Sequence, residues 1–380
     1  MNTIIKMIKR ELTAIVKKKL GKGKAIVVLG PRQVGKTTLL REICENNKTF
    51  LFLNGDDTNV QYQIENANTQ SLKQIIGKHT LVFIDEAQRI KNIGIKLKLI
   101  TDQMKNVQLL VSGSSALELA SEMNEPLTGR KWEYQMFPVS WKELHEYLGH
   151  IDAHAQLEQR LIYGMYPEVI TQQGSEKEVL QQLTGSYLYK DLLALEGVRK
   201  PDLLPKLLRA LALQLGNEVS YNELANLLQV DKNTVNTYID LLEKAFVVFR
   251  LQPFSRNLRN EISSSRKIYF YDNGIRNALI ANFNSLDLRN DKGVLWENFL
   301  ISERMKTLNY KGIWTNTYFW RTKTQQEIDY LEERDGELYA YEFKWSKQKV
   351  KFPKSFLENY QVKVSEVITK ENFDLFIGVE

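Results

Sequence analysis

Residues 30–37 have the composition and spacing of a loop that binds phosphate. They read Gly-Pro-Arg-Gln-Val-Gly-Lys-Thr, which fits G-x-x-x-x-G-K-[ST], and they lie between an apolar run and a helical pattern. Because Gly30 and Gly35 let the backbone curl, its N–H groups can face an anion at the amino end of a helix. In this pattern Lys36 reaches the β- and γ-phosphates of a nucleotide, and the Thr37 hydroxyl binds Mg²⁺. The predicted nucleotide-binding residues are Gly30, Pro31, Arg32, Gln33, Val34, Gly35, Lys36, Thr37 and Thr38.

Two adjacent acidic residues farther along the chain supply the rest of this chemistry. Asp85 and Glu86 follow the apolar run Leu81 to Ile84. In an open sheet of parallel strands, ligands bind at the carboxyl ends of the strands, so both carboxylates are expected beside the phosphate loop. We expect Asp85 to hold Mg²⁺ through water and Glu86 to polarise the water that attacks the γ-phosphate. The sequence therefore predicts a Mg²⁺-dependent nucleoside triphosphate hydrolase.

A second group of acidic residues lies in the C-terminal part. Glu297 falls in a helical pattern, whereas Asp329 and Glu342 fall in two strands that an Asp-Gly turn at residues 335–336 joins as a hairpin. Glu342 and Lys344 are two residues apart on a strand and therefore project to one face. Asp329 across the hairpin can meet Glu342 and share a divalent metal ion through oxygen ligands, while Lys344 orients or helps to deprotonate water. Such a site would hydrolyse phosphodiesters with the help of a metal.

Between these groups, residues 220–254 resemble a winged helix-turn-helix. Ser220 with Glu223 is a capping-box pattern, and Asp231 precedes a second helix, Lys232 to Lys244, which a β-rich run follows. In that fold the second helix enters the DNA major groove, although winged helices also serve as protein–protein modules. The predicted DNA-binding residues are Lys232, Asn233, Asn236, Arg256 and Arg259. Further basic residues suited to phosphate contacts from a wing are Arg250, Arg266 and Lys267.

The elements that must position these residues alternate between strand and helix in the N-terminal part. This alternation is typical of a parallel sheet with crossover helices. The strands predicted there are Lys24 to Leu29, Thr49 to Leu53, Thr80 to Ile84, Val107 to Ser112 and Trp132 to Phe137, with Lys36 to Glu45 as the helix after the loop. The pattern is then helical from Ser140 to Leu215. After the β-rich run the predicted strands are Lys267 to Tyr271, Tyr318 to Arg321, Glu327 to Leu331 and Leu338 to Trp345.

Length and composition limit the function classes. The 380 residues predict two or three domains, and the net charge of +6 is a modest bias towards a polyanionic partner. A single cysteine excludes an intramolecular disulfide and a cysteine metal cluster, and no apolar run approaches the ~20 residues of a membrane helix. A cytoplasmic location is the expectation. The four histidines show no metal-binding spacing with cysteine, so we expect surface or core roles for them.

The N-terminal part resembles the AAA+ ATPases. In that group a polar residue after the next strand senses the γ-phosphate, and Ser114 or Ser112 of the Ser-Gly-Ser-Ser segment matches that position. Arg130, in Leu-Thr-Gly-Arg before the following strand, matches the arginine finger, which reaches the nucleotide of a neighbouring subunit. The resemblance therefore implies catalytic roles for Lys36, Glu86, Ser114 and Arg130, and a site completed in an oligomer.

Nearly the whole chain resembles the AAA_14 ATPase family with a C-terminal DUF4143 domain. The shared features are the phosphate loop, Asp85-Glu86, the linking helices, the winged helix, Tyr269 to Gly274 and the C-terminal carboxylates. The set Glu297, Asp329, Glu342 and Lys344 itself resembles the PD-(D/E)xK nuclease fold. The implied fold class is α/β: a P-loop AAA+ core with a parallel sheet (residues 1–140), a helical lid (141–202), a winged helix (203–256) and a nuclease-like domain (257–380).

What this resemblance implies is an ATPase with ATP and Mg²⁺ as cofactors and DNA as partner. The expected protein is a homo-oligomeric ring that binds or remodels branched DNA such as Holliday junctions. Two alternatives remain open. ATP could gate DNA cutting at Asp329, Glu342 and Lys344, or the ATPase could be a switch whose partner is a protein.

Overall fold

The computed structural model describes residues 7–45, 49–114, 126–188, 200–256, 266–322, 324–346 and 350–379. It divides into two compact units, Met1–Val139 with Lys244–Phe246, and Ser140–Glu243 with Val247–Glu380. Among the described residues, no helix combines the length and the apolar character that a bilayer crossing requires.

The first unit is built on a parallel five-stranded sheet in the order β2-β3-β4-β1-β5. The predicted parallel α/β core is therefore confirmed. β1 and β3 are buried over their whole length, as their unbroken apolar sequences require. The strands are β1 (Ala25–Leu29), β2 (Phe50–Asn54), β3 (Leu81–Asp85), β4 (Gln108–Gly113) and β5 (Lys131–Gln135). The helices are α1 (Glu11–Lys17), α2 (Lys36–Glu45), α3 (Thr58–Glu65), α4 (Thr69–Ile76) and α5 (Ile93–Gln103), with a 3₁₀ turn at Ala87–Arg89.

Strand order places the phosphate loop at a point where ligands bind. β1 lies in the interior of the sheet between β4 and β5, but the next strand in the chain, β2, lies at the far edge. The chain thus reverses direction across the sheet at β1, and the crevice outside such a reversal is open to a ligand. The carboxyl ends of β1, β3 and β4 share this edge, which brings the loop, Asp85 and Ser112 together.

The second unit begins with helices, and its strands come later in the chain. Its helices are α6 (Trp141–Leu148), α7 (His150–Ala155), α8 (Leu157–Tyr163), α9 (Pro167–Thr171), α10 (Glu176–Gln182), α11 (Leu203–Leu213), α12 (Tyr221–Leu228), α13 (Lys232–Lys244), α14 (Asn273–Leu279), α15 (Lys292–Lys311), α16 (Lys354–Asn359) and α17 (Phe373–Phe376). A π-helical segment spans Leu183–Leu188 and a 3₁₀ turn spans Leu286–Leu288. Its strands are β6 (Glu218–Val219), β7 (Val248–Pro253), β8 (Arg266–Phe270), β9 (Asn316–Arg321), β10 (Glu327–Arg334), β11 (Glu337–Phe343) and β12 (Val362–Ile368).

These strands form one seven-stranded sheet in the order β12-β11-β10-β9-β7-β8-β6. β10 and β11 are antiparallel neighbours, as the Asp-Gly turn predicts. β7 pairs with β8 on one side and with β9 on the other, so the sheet continues across the boundary predicted between residues 256 and 257. The three boundaries between the four predicted domains remain predictions.

Capping side chains fix the starts of the helices around the predicted helix-turn-helix. The Ser220 hydroxyl accepts a hydrogen bond from the Glu223 N–H at 3.4 Å, which is the first half of the predicted capping box. Asp231 accepts from the Thr234 N–H at 2.8 Å and starts α13. Between the two helices Gln229 has φ +54°, the left-handed conformation that ends α12.

The motif Tyr269 to Gly274 joins the sheet to the helices of the second unit. Asp272 is buried, and its carboxylate accepts hydrogen bonds from the N–H groups of Met165, at 2.6 Å, and Ile275, at 3.1 Å. Gly274 packs so closely that a Cβ there would lie 2.1 Å from the carbonyl oxygen of Tyr163. The motif is thus explained by packing of β8 and α14 against the turn after α8.

We expect Gly274→Ala to destabilise the second unit. The added methyl group must displace the Tyr163 backbone, and overpacking of this kind costs about 1–3 kcal/mol. Thermal unfolding of the full chain measures the loss. Gly293→Ala is the matched control, because a Cβ at Gly293 meets no atom within 4 Å and alanine favours a helix. Equal melting temperatures for the two variants would contradict the packing explanation.

Candidate functional site

The phosphate loop is held against the backbone that follows β5. The Met136 N–H donates to the carbonyl oxygen of Leu29 at 2.7 Å, which brings the two chain segments into contact. Gly30 has φ +155°, and a Cβ on it would lie 2.1 Å from the Met136 carbonyl oxygen. Only glycine fits this position. The close approach to Met136 is therefore a second reason for the first glycine of the motif, beside the backbone curl.

Lys36 lies inside the loop at the amino end of α2. Its side chain is buried, and its ammonium group donates hydrogen bonds to the carbonyl oxygens of Gly30, at 2.8 Å, and Pro31, at 2.7 Å. The positive charge is thus fixed among loop backbone groups, where the helix terminus also favours an anion. This is the position from which a lysine can bind nucleotide phosphates.

Three oxygen-bearing side chains converge beside Lys36. The Thr37 hydroxyl donates to Asp85 Oδ2 at 2.9 Å, and the Ser112 hydroxyl donates to Asp85 Oδ1. Thr37 lies in the first turn of α2, Asp85 ends β3 and Ser112 lies near the end of β4, so three elements build the cluster. Hydroxyl and carboxylate oxygens are the donors that Mg²⁺ prefers, and these residues fit the ion. Thr37 and Asp85 would hold it, and the ion would neutralise phosphate charge.

Glu86 lies next to this cluster in a restricted backbone conformation. It has φ +47°, a left-handed conformation that costs a residue other than glycine about 1–3 kcal/mol and that is enriched at active sites as well as at helix ends and turns. Its N–H donates to the Ser112 hydroxyl at 3.3 Å. Gln88 links two predicted residues, since its amide donates to Glu86 Oε2 at 2.6 Å and to the Ser114 hydroxyl at 2.9 Å. The carboxylate is thereby held at the edge where Asp85 lies.

The second unit brings together Asp329 on β10, Glu342 on β11 and Lys344 directly after β11. Lys344 Nζ lies 2.8 Å from Glu342 Oε2 and 3.4 Å from Asp329 Oδ2, and the Phe343 N–H donates to Asp329 Oδ2 at 2.8 Å. Burial, and then the neighbouring Asp329 carboxylate, raise the pKa of Glu342 to about 7, although Lys344 opposes the shift. The paired carboxylates fit a hard divalent cation.

Glu297 lies in the same neighbourhood but already has a cation beside it. The Tyr269 hydroxyl donates to Glu297 Oε1, and Lys267 Nζ lies 3.2 Å from that oxygen and 2.5 Å from Glu327 Oε1. The Lys267 side chain is only 2% exposed. Although burial opposes it, the carboxylates of Glu297 and Glu327 raise the pKa of Lys267, so this lysine stays charged. The four predicted carboxylate-and-lysine residues thus converge, with Lys267 as an additional cation.

Comparisons with known proteins identify the family. An AAA domain model (AAA_14) matches residues 22–145, and two domains of unknown function match residues 154–287 (DUF8612) and 292–378 (DUF4143). The uncharacterised protein Rv2008c of Mycobacterium tuberculosis is 30% identical over 342 residues, which cover 88% of this chain and 74% of that protein. The chain belongs to the AAA_14 and DUF4143 family. It is a P-loop ATPase of the AAA type.

Two other proteins are also similar to this AAA_14 chain. The uncharacterised protein MJ1544 of Methanocaldococcus jannaschii is 25% identical over 337 residues, which cover 82% of this chain and 73% of that protein. Among solved structures, the Walker-type ATPase PABY2304 of Pyrococcus abyssi matches 72% of this chain and 96% of its own length, with 15% identity and a TM-score of 0.48. The DUF8612 match crosses the boundary predicted between residues 256 and 257.

Arg130 lies away from the nucleotide site of its own AAA_14 unit. Its carbonyl oxygen accepts from the Ala25 N–H, which places it at the amino edge of the sheet, opposite the loop. Its guanidinium pairs with Asp102 at 2.7 Å and donates to the Thr128 carbonyl oxygen at 3.3 Å. A reach from this position to the nucleotide of a neighbouring subunit stays a prediction.

The basic residues predicted to contact DNA fall into two groups. Arg250 and Lys267 were predicted to contact DNA phosphates, and this prediction is wrong. The Arg250 guanidinium and the Lys267 ammonium group are each paired with acidic side chains. Arg250 lies 2.6 Å from Asp240 and also pairs with Glu243, while Lys267 is the buried cation beside Glu297. Lys232, Asn233, Asn236 and Arg256 are exposed, as a DNA contact requires, and Arg259 lies outside the described residues.

Several contributors to these sites carry no clear signal in the sequence. Arg10 donates hydrogen bonds to the carbonyl oxygens of Val34 and, at 2.6 Å, Phe137, and thereby stabilises the phosphate loop. In the sequence, the segment around Arg10 is recognisable only as basic. Gly55 follows β2, and a Cβ there would lie 2.4 Å from the Glu86 carbonyl oxygen. A glycine after a strand is a weak signal. Gln88 lies only two residues beyond the acidic pair, and this short separation is a local signal that it belongs to the site.

Proposed function

We propose that this AAA_14 protein is a Mg²⁺-dependent ATPase that acts on DNA as a homo-oligomeric ring. The observation that carries the ATPase chemistry is the convergence of Lys36, Thr37 and Asp85, with Glu86 beside them, at one sheet edge. Hydrolysis would move the second unit, and DNA binding or branch migration would be the output. The family resemblance favours branched DNA, such as Holliday junctions, as the substrate.

The connectivity of residues 203–270 supports a DNA-contacting winged helix. Helix α11 is followed by β6, then α12 and α13, then the antiparallel pair β7 and β8, and β6 pairs with the far side of β8. Two helices joined by a short turn and followed by a strand pair are the elements of a winged helix-turn-helix. The second helix, α13, exposes Lys232, Asn233 and Asn236 near its amino end.

ATP turnover tests the proposal. The full chain is assayed with Mg²⁺ and no DNA, linear duplex DNA or four-way junctions, and mass photometry with a non-hydrolysable nucleotide reports the oligomer. We expect turnover without DNA and a faster rate with junctions. Absence of both binding and stimulation by every DNA form would remove DNA as the partner while leaving the ATPase, and would favour the protein-partner switch.

We expect charge reversal of Lys232 and Arg256 to weaken DNA binding. Each lysine or arginine that neutralises a phosphate releases a counterion. The double variant Lys232→Glu/Arg256→Glu should therefore reduce the slope of log affinity against log salt concentration by about two. Turnover without DNA should not change. Lys177→Glu is the control, since Lys177 is exposed on α10 outside the winged helix. An unaltered salt slope in the double variant would exclude this face as the DNA contact.

A second candidate function is metal-dependent cleavage of DNA. It is favoured by the convergence of Lys344, directly after β11, with Asp329 and Glu342 on two neighbouring strands. The carboxylates would hold a divalent ion, and Lys344 would orient or deprotonate water. Several DNA forms are incubated with Mg²⁺ or Mn²⁺ and either wild type or Lys344→Ala. Cleavage by wild type alone supports the function, whereas DNA that stays intact throughout leaves a binding role only.

Metal binding at this second site should depend on pH around 7. Because the pKa of Glu342 is raised to about 7, the carboxylate is largely protonated below that pH and cannot bind a cation. Mn²⁺ affinity should fall about tenfold per pH unit below 7 and level off above 8. Titration calorimetry at pH 6, 7 and 8 measures this, with Asp85→Asn as background so that the metal ligands of the nucleotide site do not contribute.

Glu342→Gln is the matched variant for this titration. It should bind Mn²⁺ weakly and with little dependence on pH. Because the pKa in the folded chain lies above the ordinary 4.5, the wild type loses stability as the pH rises through 4.5 to 7, so the variant should gain relative stability at pH 8. Equal pH profiles for the two proteins would show that Glu342 does not control the site.

A further inference from the structure

Three histidines of the second unit converge next to the C-terminal helix. His145 lies on α6, and His150 and His154 lie on α7. One ligand nitrogen of each imidazole lies within 4.8 Å of the other two. Gly149, with φ +89°, makes the sharp turn that folds α7 back towards α6. The three imidazoles therefore meet only because the chain turns between α6 and α7. The sequence pattern of cysteine and histidine ligands that is typical of zinc sites does not include this arrangement.

A carboxylate from the far end of the chain completes the group. Asp374, on α17, places Oδ2 at 2.9 Å from His154 Nε2 and Oδ1 at 3.9 Å from His145 Nε2. The indole N–H of Trp141 donates to Asp374 Oδ1 at 2.8 Å. An outer hydrogen bond of this kind orients a ligand carboxylate and is a regular feature of protein metal sites.

Among the described residues, the packing around the group leaves two imidazole nitrogens without a hydrogen bond. Trp141 is fully buried, and its ring lies 5.1 Å from the His145 ring and 5.6 Å from the His154 ring. His145 Nε2 and His154 Nε2 are both buried and neither makes a hydrogen bond within the described ranges, although His154 Nε2 lies 2.9 Å from Asp374 Oδ2. A buried polar atom left without a partner destabilises the folded state, and coordination to a cation would remove that cost. Burial also lowers the pKa of His145, which favours the neutral imidazole that metals bind.

A route for an ion leads to this group from solvent. A cavity of about 480 Å³ is lined by His145 and His150, together with Lys142, Glu146 and Lys311. His150 is exposed at the surface. Ligands on a tetrahedral zinc ion at about 2.0–2.1 Å are about 3.3 Å apart. The imidazoles therefore need to close by roughly 1.5 Å, a movement that side-chain rotation of the exposed His150 allows.

We propose that His145, His150, His154 and Asp374 bind a divalent transition metal ion, with Zn²⁺ as the best match. Three imidazole nitrogens and one carboxylate oxygen are a tetrahedral zinc donor set. Imidazole selects zinc, nickel, cobalt or copper over Mg²⁺, so this site is chemically distinct from the two oxygen-donor sites. With four protein ligands the ion has a structural role. It fastens α17, at the C-terminal end, to α6 and α7.

The test uses the full chain after metal removal with a chelator and without nucleotide. Zn²⁺ binding is measured by calorimetry and by elemental analysis after dialysis, and Co²⁺ is used as a spectroscopic substitute. All proteins carry Asp329→Asn, which disables the second oxygen-donor site. We expect one tightly held Zn²⁺ per chain, visible Co²⁺ bands of tetrahedral intensity, and a higher melting temperature when Zn²⁺ is present.

The histidine variants decide the location. His150→Ala, at an exposed position, should fold normally yet lower Zn²⁺ affinity at least tenfold and abolish both the Co²⁺ bands and the melting shift. His79→Ala is the matched control, since the fourth histidine lies in the first unit, and it should behave as the parent. Failure of the parent to retain Zn²⁺, or equal retention by His150→Ala/His154→Ala, would overturn the proposal.

Discussion

Lys36→Ala is expected to lower ATP turnover by about 100- to 1,000-fold, the usual effect of removing one fixed charge that stabilises a transition state. The side chain is 5% exposed and hydrogen-bonded to the loop carbonyls of Gly30 and Pro31. Its charge is therefore in place before a nucleotide arrives, and no reorganisation is required when phosphate charge develops. Alanine leaves the loop without this cation, and bulk water cannot replace it in a buried position.

The measurement is steady-state phosphate release together with the affinity for a fluorescent ATP analogue. Lys78→Ala is the matched control, since it removes a lysine of the same unit that is exposed beyond α4. Circular dichroism should show both variants folded, because β1 and α2 keep their packing. If Lys36→Ala retained wild-type turnover, the hydrolysis site would lie elsewhere. If Lys78→Ala lost activity equally, the loss would be due to the change in the net charge of the unit and not to the position of Lys36.

The nucleotide site could be predicted because its residues are close in sequence or follow strands of unmistakable apolar character. The helix predicted from Lys36 to Glu45 has those bounds in the structure. The strands before the loop and before Asp85 are fully buried, and their unbroken apolar runs identify them. Parallel strands then bring their carboxyl ends to a common edge, so Asp85 meets Thr37 without any further information.

The carboxylate cluster was predictable only in part. Alternation of side chains on a strand placed Glu342 and Lys344 on one face, and the Asp-Gly turn brought Asp329 across from them. Lys267 and Tyr269 could not be placed, because their position beside Glu297 depends on the order of strands in the sheet and on how α15 packs upon it. The local sequence reveals neither the strand order nor the packing of α15. Lys267 was therefore predicted to be a surface residue that contacts phosphate, although it is the buried partner of two carboxylates.

Strand β12 and the histidine group were missed for related reasons. β12 alternates apolar residues with Lys363 and Ser365, and only Ile368 of its seven residues is buried, so its apolar signal is weak. It is recognised only through its parallel pairing with β11. Asp374 and His154 are separated by most of the second unit along the chain, and no periodicity connects residues that meet only after folding is complete.

Glu86→Gln is the second variant with a large expected effect, and it separates hydrolysis from binding. Glutamine preserves the size of the side chain and an oxygen that can accept the hydrogen bond from Gln88, so the backbone at φ +47° should persist. It removes the carboxylate that polarises water. General-base catalysis contributes about 10²- to 10⁴-fold, and turnover should fall by that factor while the affinity for ATP stays within about threefold.

Nucleotide affinity and single-turnover hydrolysis, measured on the same sample, distinguish the possible roles of Glu86. Glu45→Gln, an exposed change at the end of α2, serves as the control for loss of one negative charge in the unit. Because Lys36, Thr37 and Asp85 remain intact in Glu86→Gln, this variant should hold ATP without hydrolysing it. Loss of ATP binding would instead place Glu86 in the binding set. Undiminished turnover would mean that another group activates the water, and Gln88, which contacts both Glu86 and Ser114, would be the next residue to replace.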